Sequence, residues 1–115
     1  MRFKRQEPFR YQLGQPLSAE LMASDGQHSV LIHDISPHGM KLEAKSRLPF
    51  SREGSSVEIS FAIGGVSLKI GGRLVWERPF AHIHYYGVRL HVTKQEEENL
   101  IEAIKRHAAE SRRMQ

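Results

Sequence analysis

The sequence predicts a mainly β domain, in which six antiparallel strands close into a split β-barrel followed by one C-terminal α-helix. Three observations carry this expectation. Apolar and polar residues alternate with period 2 along six short stretches. Short turn signals separate most of the stretches: Asp25-Gly26, Ser36-Pro37-His38-Gly39 and Gly64-Gly65. After Thr93 the apolar period lengthens to that of a helix.

The clearest strand carries Val57, Ile59, Phe61 and Ile63 on one face, with Glu58, Ser60 and Ala62 between them. Beyond the Gly64-Gly65 turn the pattern resumes through Val66, Leu68, Ile70, Gly72, Leu74 and Trp76, so the two stretches form a long hairpin. Gly71 and Gly72 lie inside that second strand, where glycine marks a bulge or the sharp bend of a curling sheet. The other four strands are read from Leu17, Ala19, Leu21 and Ala23; from Val30 to Ile35; from Met40, Leu42 and Ala44; and from Tyr86, Val88, Leu90 and Val92. A longer loop spans about Ser46 to Ser55. Six twisted strands in so short a chain bury their apolar face most simply by closing on themselves. Thr93 with Glu96 three residues on forms a capping box for a helix over roughly 94–111, whose stripe is Leu100, Ile101, Ile104 and Ala108. That stripe either plugs one mouth of the barrel or packs on a second copy, and the sequence leaves both open. The expected organisation is an arm over 1–14, the barrel over 15–93, and the helix with its tail over 94–115.

With 115 residues one core is expected, and no apolar run approaches the roughly 20 residues of a membrane span. Met1 to Tyr11 carries Arg2, Lys4, Arg5 and Arg10 with no apolar stretch behind it, so no secretory signal and a cytoplasmic location are expected. The absence of cysteine removes disulfides, thiolate metal sites and cysteine nucleophiles. The net charge of +4, with basic residues gathered at the two ends, favours anionic partners. The helix explains part of this, because Glu96, Glu97 and Glu98 at its start and Lys105, Arg106 and His107 toward its end match its dipole.

The most informative segment is His33-Asp34-Ile35-Ser36-Pro37-His38-Gly39, between two predicted strands. Asp34 and Ser36 are two positions apart and share a face of an extended chain, offering a carboxylate acceptor and a hydroxyl suited to the edge of a purine. Gly39 permits a tight turn or the close approach of a ligand. Read alone, the segment is equally compatible with a turn in which Asp34 and Ser36 bond only to nearby backbone. The second segment, Lys4-Arg5-Gln6-Glu7-Pro8-Phe9-Arg10-Tyr11, is read as an extended arm because Pro8 disfavours helix. Guanidinium groups present a flat fork of donors to phosphate or guanine, which makes Arg5 and Arg10 candidate ligands; a solvated terminus is the alternative.

Together these segments resemble the PilZ family over nearly the whole chain. Its hallmark is an arginine pair, RxxxR, before the first strand, followed tens of residues later by [D/N]xSxxG. The second motif stands here as Asp34, Ser36 and Gly39, and Gly72-Arg73-Leu74-Val75-Trp76 and Tyr86-Gly87-Val88-Arg89-Leu90 look like the family's closing strands. Arg5 and Arg10 are separated by four residues instead of three, and strict spacing pairs Gln6 with Arg10. The resemblance implies a six-stranded barrel of PilZ type that reads cyclic di-GMP in bacterial signalling. Its arm arginines grip guanines and phosphates, while Asp34, Ser36 and Gly39 hold a guanine. Lys4, Gln6, His38 and Arg89 are secondary candidates for the same site. The alternative it implies is a degenerate PilZ domain that serves as a protein-protein interaction module without nucleotide.

No enzymatic activity, resident cofactor or metal is expected. His82 and His84 read as surface histidines without further ligands nearby, and His33 and Asp34, as strand neighbours, point to opposite faces. A nucleic-acid-binding barrel would need exposed aromatics. Trp76 and Tyr86 fall on the apolar phase and are expected in the core, leaving Tyr85 alone, so nucleic acid is not the expected partner. A downstream protein partner and a monomeric or homodimeric state complete the expectation.

Overall fold

In the computed structural model, residues 10–113 are described. Six strands and one helix follow in order: β1 Tyr11–Ala23, β2 Gly26–Ser36, β3 Gly39–Ala44, β4 Ser55–Ile63, β5 Val66–Phe80, β6 Ile83–His91 and α1 Lys94–Arg113. They form a closed antiparallel barrel in the order β1-β2-β3-β6-β5-β4, with β4 returning to pair with β1. Closure leaves the alternating apolar residues one place to go. Leu21, Ile32, Ile35, Leu42, Ile59 and Leu74 meet inside with no exposed surface, and interior packing of this kind is what stabilises a chain without cross-links.

Several strands run further than the alternation indicated, and two of these extensions shape the site. β1 begins at Tyr11, inside the segment expected as the arm, because Tyr11 pairs with Ile35 and Gln12 with Asp34 before the register shifts between Gln12 and Leu17. The irregular Gly14-Gln15-Pro16 stretch breaks the period-2 signal while Leu13 still reaches the core at 7% exposure. β5 continues to Phe80 past Leu74, the last residue it pairs with β4, so Pro79 sits where no ladder bond to β4 is required.

The second extension reverses one expectation. The register shifts between Leu74 and Trp76, placing two residues of β5 against one step of β6. Leu74 stays fully buried, but Trp76 turns to the outer surface with 38% exposure instead of joining the core. One bulged residue inverts a period-2 pattern. Tyr86 keeps its expected core position: its hydroxyl accepts from the Leu48 N–H at 2.8 Å and donates to Glu77 Oε2 at 2.7 Å. This pins the β3–β4 loop, with buried Leu48, across one end of the barrel.

The helix closes the other end. Thr93 Oγ1 accepts from the Glu96 N–H at 3.1 Å and Glu96 Oε1 accepts from the Thr93 N–H at 2.9 Å, completing the capping box. Leu100, Ala103 and Ile104 are buried in the barrel's own core cluster, which decides between plugging the barrel and pairing with a second copy in favour of the plug. The β4–β5 turn meets α1 so closely that a Cβ on Gly64 would lie 2.3 Å from the Ala103 carbonyl, and Arg106 donates to the Gly64 carbonyl at 3.2 Å. Among the described residues no helix is long and apolar enough to cross a membrane.

Candidate functional site

The site is built at the β2–β3 turn. Strand pairing of Ser36 with Gly39 leaves only Pro37 and His38 outside the ladder. The Ser36 hydroxyl accepts from the Gly39 N–H at 3.1 Å and donates to the Gly39 carbonyl at 3.2 Å. Ser36 is fully buried, so in this arrangement its hydroxyl braces the turn. Gly39 lies against β6: a Cβ there would stand 3.1 Å from the Val88 carbonyl. The His38 carbonyl accepts from the Leu90 N–H at 2.9 Å, tying the turn to β6 a second time. The His38 ring is half exposed and stands 3.7 Å from Glu97 Oε1 in the first turn of α1.

Asp34 lies on the outer face of β2, two residues before Ser36, with its side chain 13% exposed. Its carboxylate accepts from the Arg10 guanidinium, which is itself 46% exposed. The pairing of Gln12 with Asp34 in the β1–β2 ladder brings the root of the arm to this point, across 24 residues of sequence. The two segments singled out from sequence therefore meet through Arg10 and Asp34. Lys4, Arg5 and Gln6 lie outside the described residues. Arg89 is opposite Gly39 in the β3–β6 ladder and exposed, adjoining the turn from the other side.

Of the outer surface beyond Asp34, only Arg89 was singled out from sequence as a candidate site residue. One cross-strand row runs Asp34, Lys41, Gly87, Trp76, and its neighbour runs Ser36, Gly39, Arg89, Arg73. Trp76 lies on Gly87 so closely that a Cβ there would be 2.0 Å from the indole Nε1. Lys41 stands 4.7 Å from the centre of the Tyr85 ring, and Arg78 stands 5.5 Å from that of Trp76. The available sequence signal was the run Leu74-Val75-Trp76, in which three apolar residues in succession interrupt the alternation.

Chemically, the turn offers a carboxylate acceptor beside a guanidinium fork. A guanine presents donors on its Watson–Crick edge for the former and acceptors O6 and N7 for the latter. Among the described residues no group of three or more His, Asp or Glu side chains is arranged to hold a metal.

Comparison with known proteins gives a consistent picture. No curated protein matches the sequence. Among solved structures, the fold is similar to the PilZ domain of YcgR from Escherichia coli with c-di-GMP, at a TM-score of 0.75 and 20% identity over 96% of this chain and 97% of that one. It is also similar to the PilZ domain of CeSA from a cellulose-synthesizing bacterium, at 0.58 and 19% over 84% and 94%. The Bacillus subtilis inhibitor of motility MotI/DgrA matches at 0.69 and 13% identity over 97% of this chain, which spans 55% of that longer one. At these identities the likeness speaks for the fold. The family description for the PilZ domain matches the sequence itself over residues 2–106, and the chain belongs to the PilZ domain family.

Proposed function

We propose that the chain is a cyclic di-GMP receptor that binds the nucleotide between its N-terminal arm and the outer face of the barrel at the β2–β3 turn. The observation that carries this reading is the contact of Arg10 with Asp34, which joins the arm to the [D/N]xSxxG segment. The similar PilZ domain of YcgR has a structure with c-di-GMP, which supports the same ligand class here. In this reading Asp34 accepts from a guanine edge, and Arg10, together with Arg5, donates to phosphate or to guanine O6 and N7. Gly39 lets the ligand approach the backbone, and Lys4, Gln6, His38 and Arg89 line the margin. The ligand exchanges one charge-assisted contact, Arg10 with Asp34, for two made to itself. The domain acts as a cytoplasmic, non-catalytic receptor, monomeric or homodimeric, and passes the signal to a protein partner.

A second reading, a PilZ domain serving as a protein-protein interaction module without nucleotide, is favoured by one observation. Ser36 is fully buried and both its hydrogen bonds go to Gly39. Isothermal titration with cyclic di-GMP, against GTP, cyclic AMP and a short single-stranded oligonucleotide, separates the two. Saturable heat with cyclic di-GMP alone is expected. A folded protein that gives none would leave the interaction module.

A further inference from the structure

A further outer row lies along the strands on the side away from the β2–β3 turn. It runs Ser18, Leu31, Glu43, Tyr85, Arg78 and so crosses five strands, from β1 to β5. Their strand neighbours Ala19, Val30, Leu42, Ala44 and Tyr86 are buried, so the row faces outward. Charge is separated along it. On the β1–β3 side Glu20 and Glu43 border a concavity of about 540 Å³, lined also by Gln27, Ser29, Leu31 and Lys45. Both carboxylates are held in place: Glu20 accepts from Gln27 Nε2 at 3.0 Å, and Glu43 is hydrogen-bonded to His33 at 2.6 Å. On the β5 side Arg78 is exposed, and its guanidinium forms no ion pair among the described residues. Between the two halves stands Tyr85, whose ring lies 6.5 Å from that of Phe80 and 5.6 Å from that of His33. Phe80 is 63% exposed, the most open large apolar side chain among the described residues. In the turn that follows it Ala81 takes a φ of +56, the one non-glycine residue with a positive φ among those described. Glycine adopts that conformation freely. Strain is therefore kept at the hairpin tip that holds Phe80 out to water, and strain of this kind persists where a function needs it.

We propose that this row is an interface through which two copies of the chain associate about a two-fold axis. In such a contact the patch complements itself, so that residue i meets residue j and j meets i. The order Glu43, Tyr85, Arg78 has that property, because Glu43 and Arg78 stand one strand step, about 4.8 Å, on either side of Tyr85. An axis through Tyr85 sets Glu43 of each copy against Arg78 of the other, with Tyr85 and Phe80 as the apolar centre. Aromatic side chains and arginine at the middle of a patch are the residues that carry most of the energy of protein interfaces. The charge order also selects the occupant. A polyanion is repelled by Glu20 and Glu43, whereas a second copy brings its basic end to the acidic end and the reverse. The inference concerns the free domain and stands apart from the receptor reading.

Sedimentation velocity of the ligand-free protein from about 1 to 500 µM follows the association, over the range in which small interfaces form. The expected result is a shift from the 13.2 kDa of one chain toward twice that mass. Arg78→Glu and Glu43→Arg, each checked for native circular dichroism, should each raise the dissociation constant of the dimer by at least about tenfold, since each sets like charges against one another in both contacts. Mixed one to one, the two variants should recover the dimer, because every contact of the mixed pair again joins a carboxylate to a guanidinium. Phe80→Ser, at a position outside the core, should weaken the dimer by roughly tenfold. A parent protein that keeps the mass of one chain over the whole range would overturn the interface. So would a dimer that Arg78→Glu and Phe80→Ser leave within about threefold of the parent, since the copies would then meet elsewhere. Variants that each fail to associate and are not rescued by mixing would overturn the pairing of Glu43 with Arg78 about a two-fold axis.

Discussion

Replacing Arg10 by alanine separates what this residue does for the fold from what it does for the ligand. In the free domain its guanidinium contacts Asp34 and is 46% exposed, while the Asp34 side chain is 13% exposed. A pair open to water on one side is worth about 0–1 kcal/mol, and less at high salt. Arg10 precedes β1 and the core cluster does not include it, so Arg10→Ala should shift the melting temperature of the free protein by no more than about 5 °C. On the proposed reading the same side chain donates charge-assisted hydrogen bonds to the nucleotide, and their loss should cost about 1.5–3 kcal/mol, or roughly 10–150-fold in affinity. Calorimetric titration and thermal melts of the parent and of Arg10→Ala, run in the same buffer, test both halves. Unchanged affinity would refute the assignment of Arg10 to the ligand. A fall in melting temperature beyond about 10 °C, as expected for core losses of several kcal/mol, would show that Arg10 holds the barrel together and would undo the separation.

Three further outcomes follow from the barrel and its two end covers. Burial raises the Tyr86 hydroxyl; the Leu48 N–H opposes this, the Glu77 carboxylate adds to it, and the result is pushed up to about 12. The unfolded chain releases that proton near pH 10, so the folded state holds more protons between about pH 10 and 12 and stability falls across that window as pH rises, by roughly 2–3 kcal/mol. Urea unfolding should show this component of the slope in the parent and not in Tyr86→Phe, which also loses about 1–3 kcal/mol at neutral pH by stranding the Leu48 N–H; parallel slopes would contradict the assignment. Gly64→Ala meets both a φ of +59 and the Ala103 carbonyl at 2.3 Å, whereas Gly65→Ala meets a φ of +78 and open space. The former should cost more than the roughly 1 kcal/mol of left-handed strain expected for the latter, and equal chemical denaturation midpoints would show that α1 does not bear on the turn. Thr93→Ala removes the acceptor for the Glu96 N–H and should lower stability by about 1 kcal/mol, with no change in the heat of nucleotide binding.

The sequence by itself determined that there are six strands and one helix, and the buried face of each strand where its alternation runs unbroken, because these follow from local periodicity. Alternation through Val57, Ile59, Phe61 and Ile63 needs no partner to be read, and all four are buried. The Thr93 and Glu96 cap lies within four residues and closes as expected. The segment from Asp34 to Gly39 was legible as a turn of unusual composition, but only the tertiary structure supplied what it faces. Arg10 reaches Asp34 because β1 pairs with β2 as far back as Tyr11, a registration that the irregular Gly14-Gln15-Pro16 stretch hides from any period-2 reading. Trp76 was misplaced for the same kind of reason. Periodicity carries the phase of a strand forward from residue to residue, and a single bulge between Leu74 and Trp76 reverses it. Whether Arg73 and Arg89 stand together is likewise not a property of either segment. It depends on which strands a closed barrel sets side by side, and therefore on packing between parts of the chain that no local pattern connects.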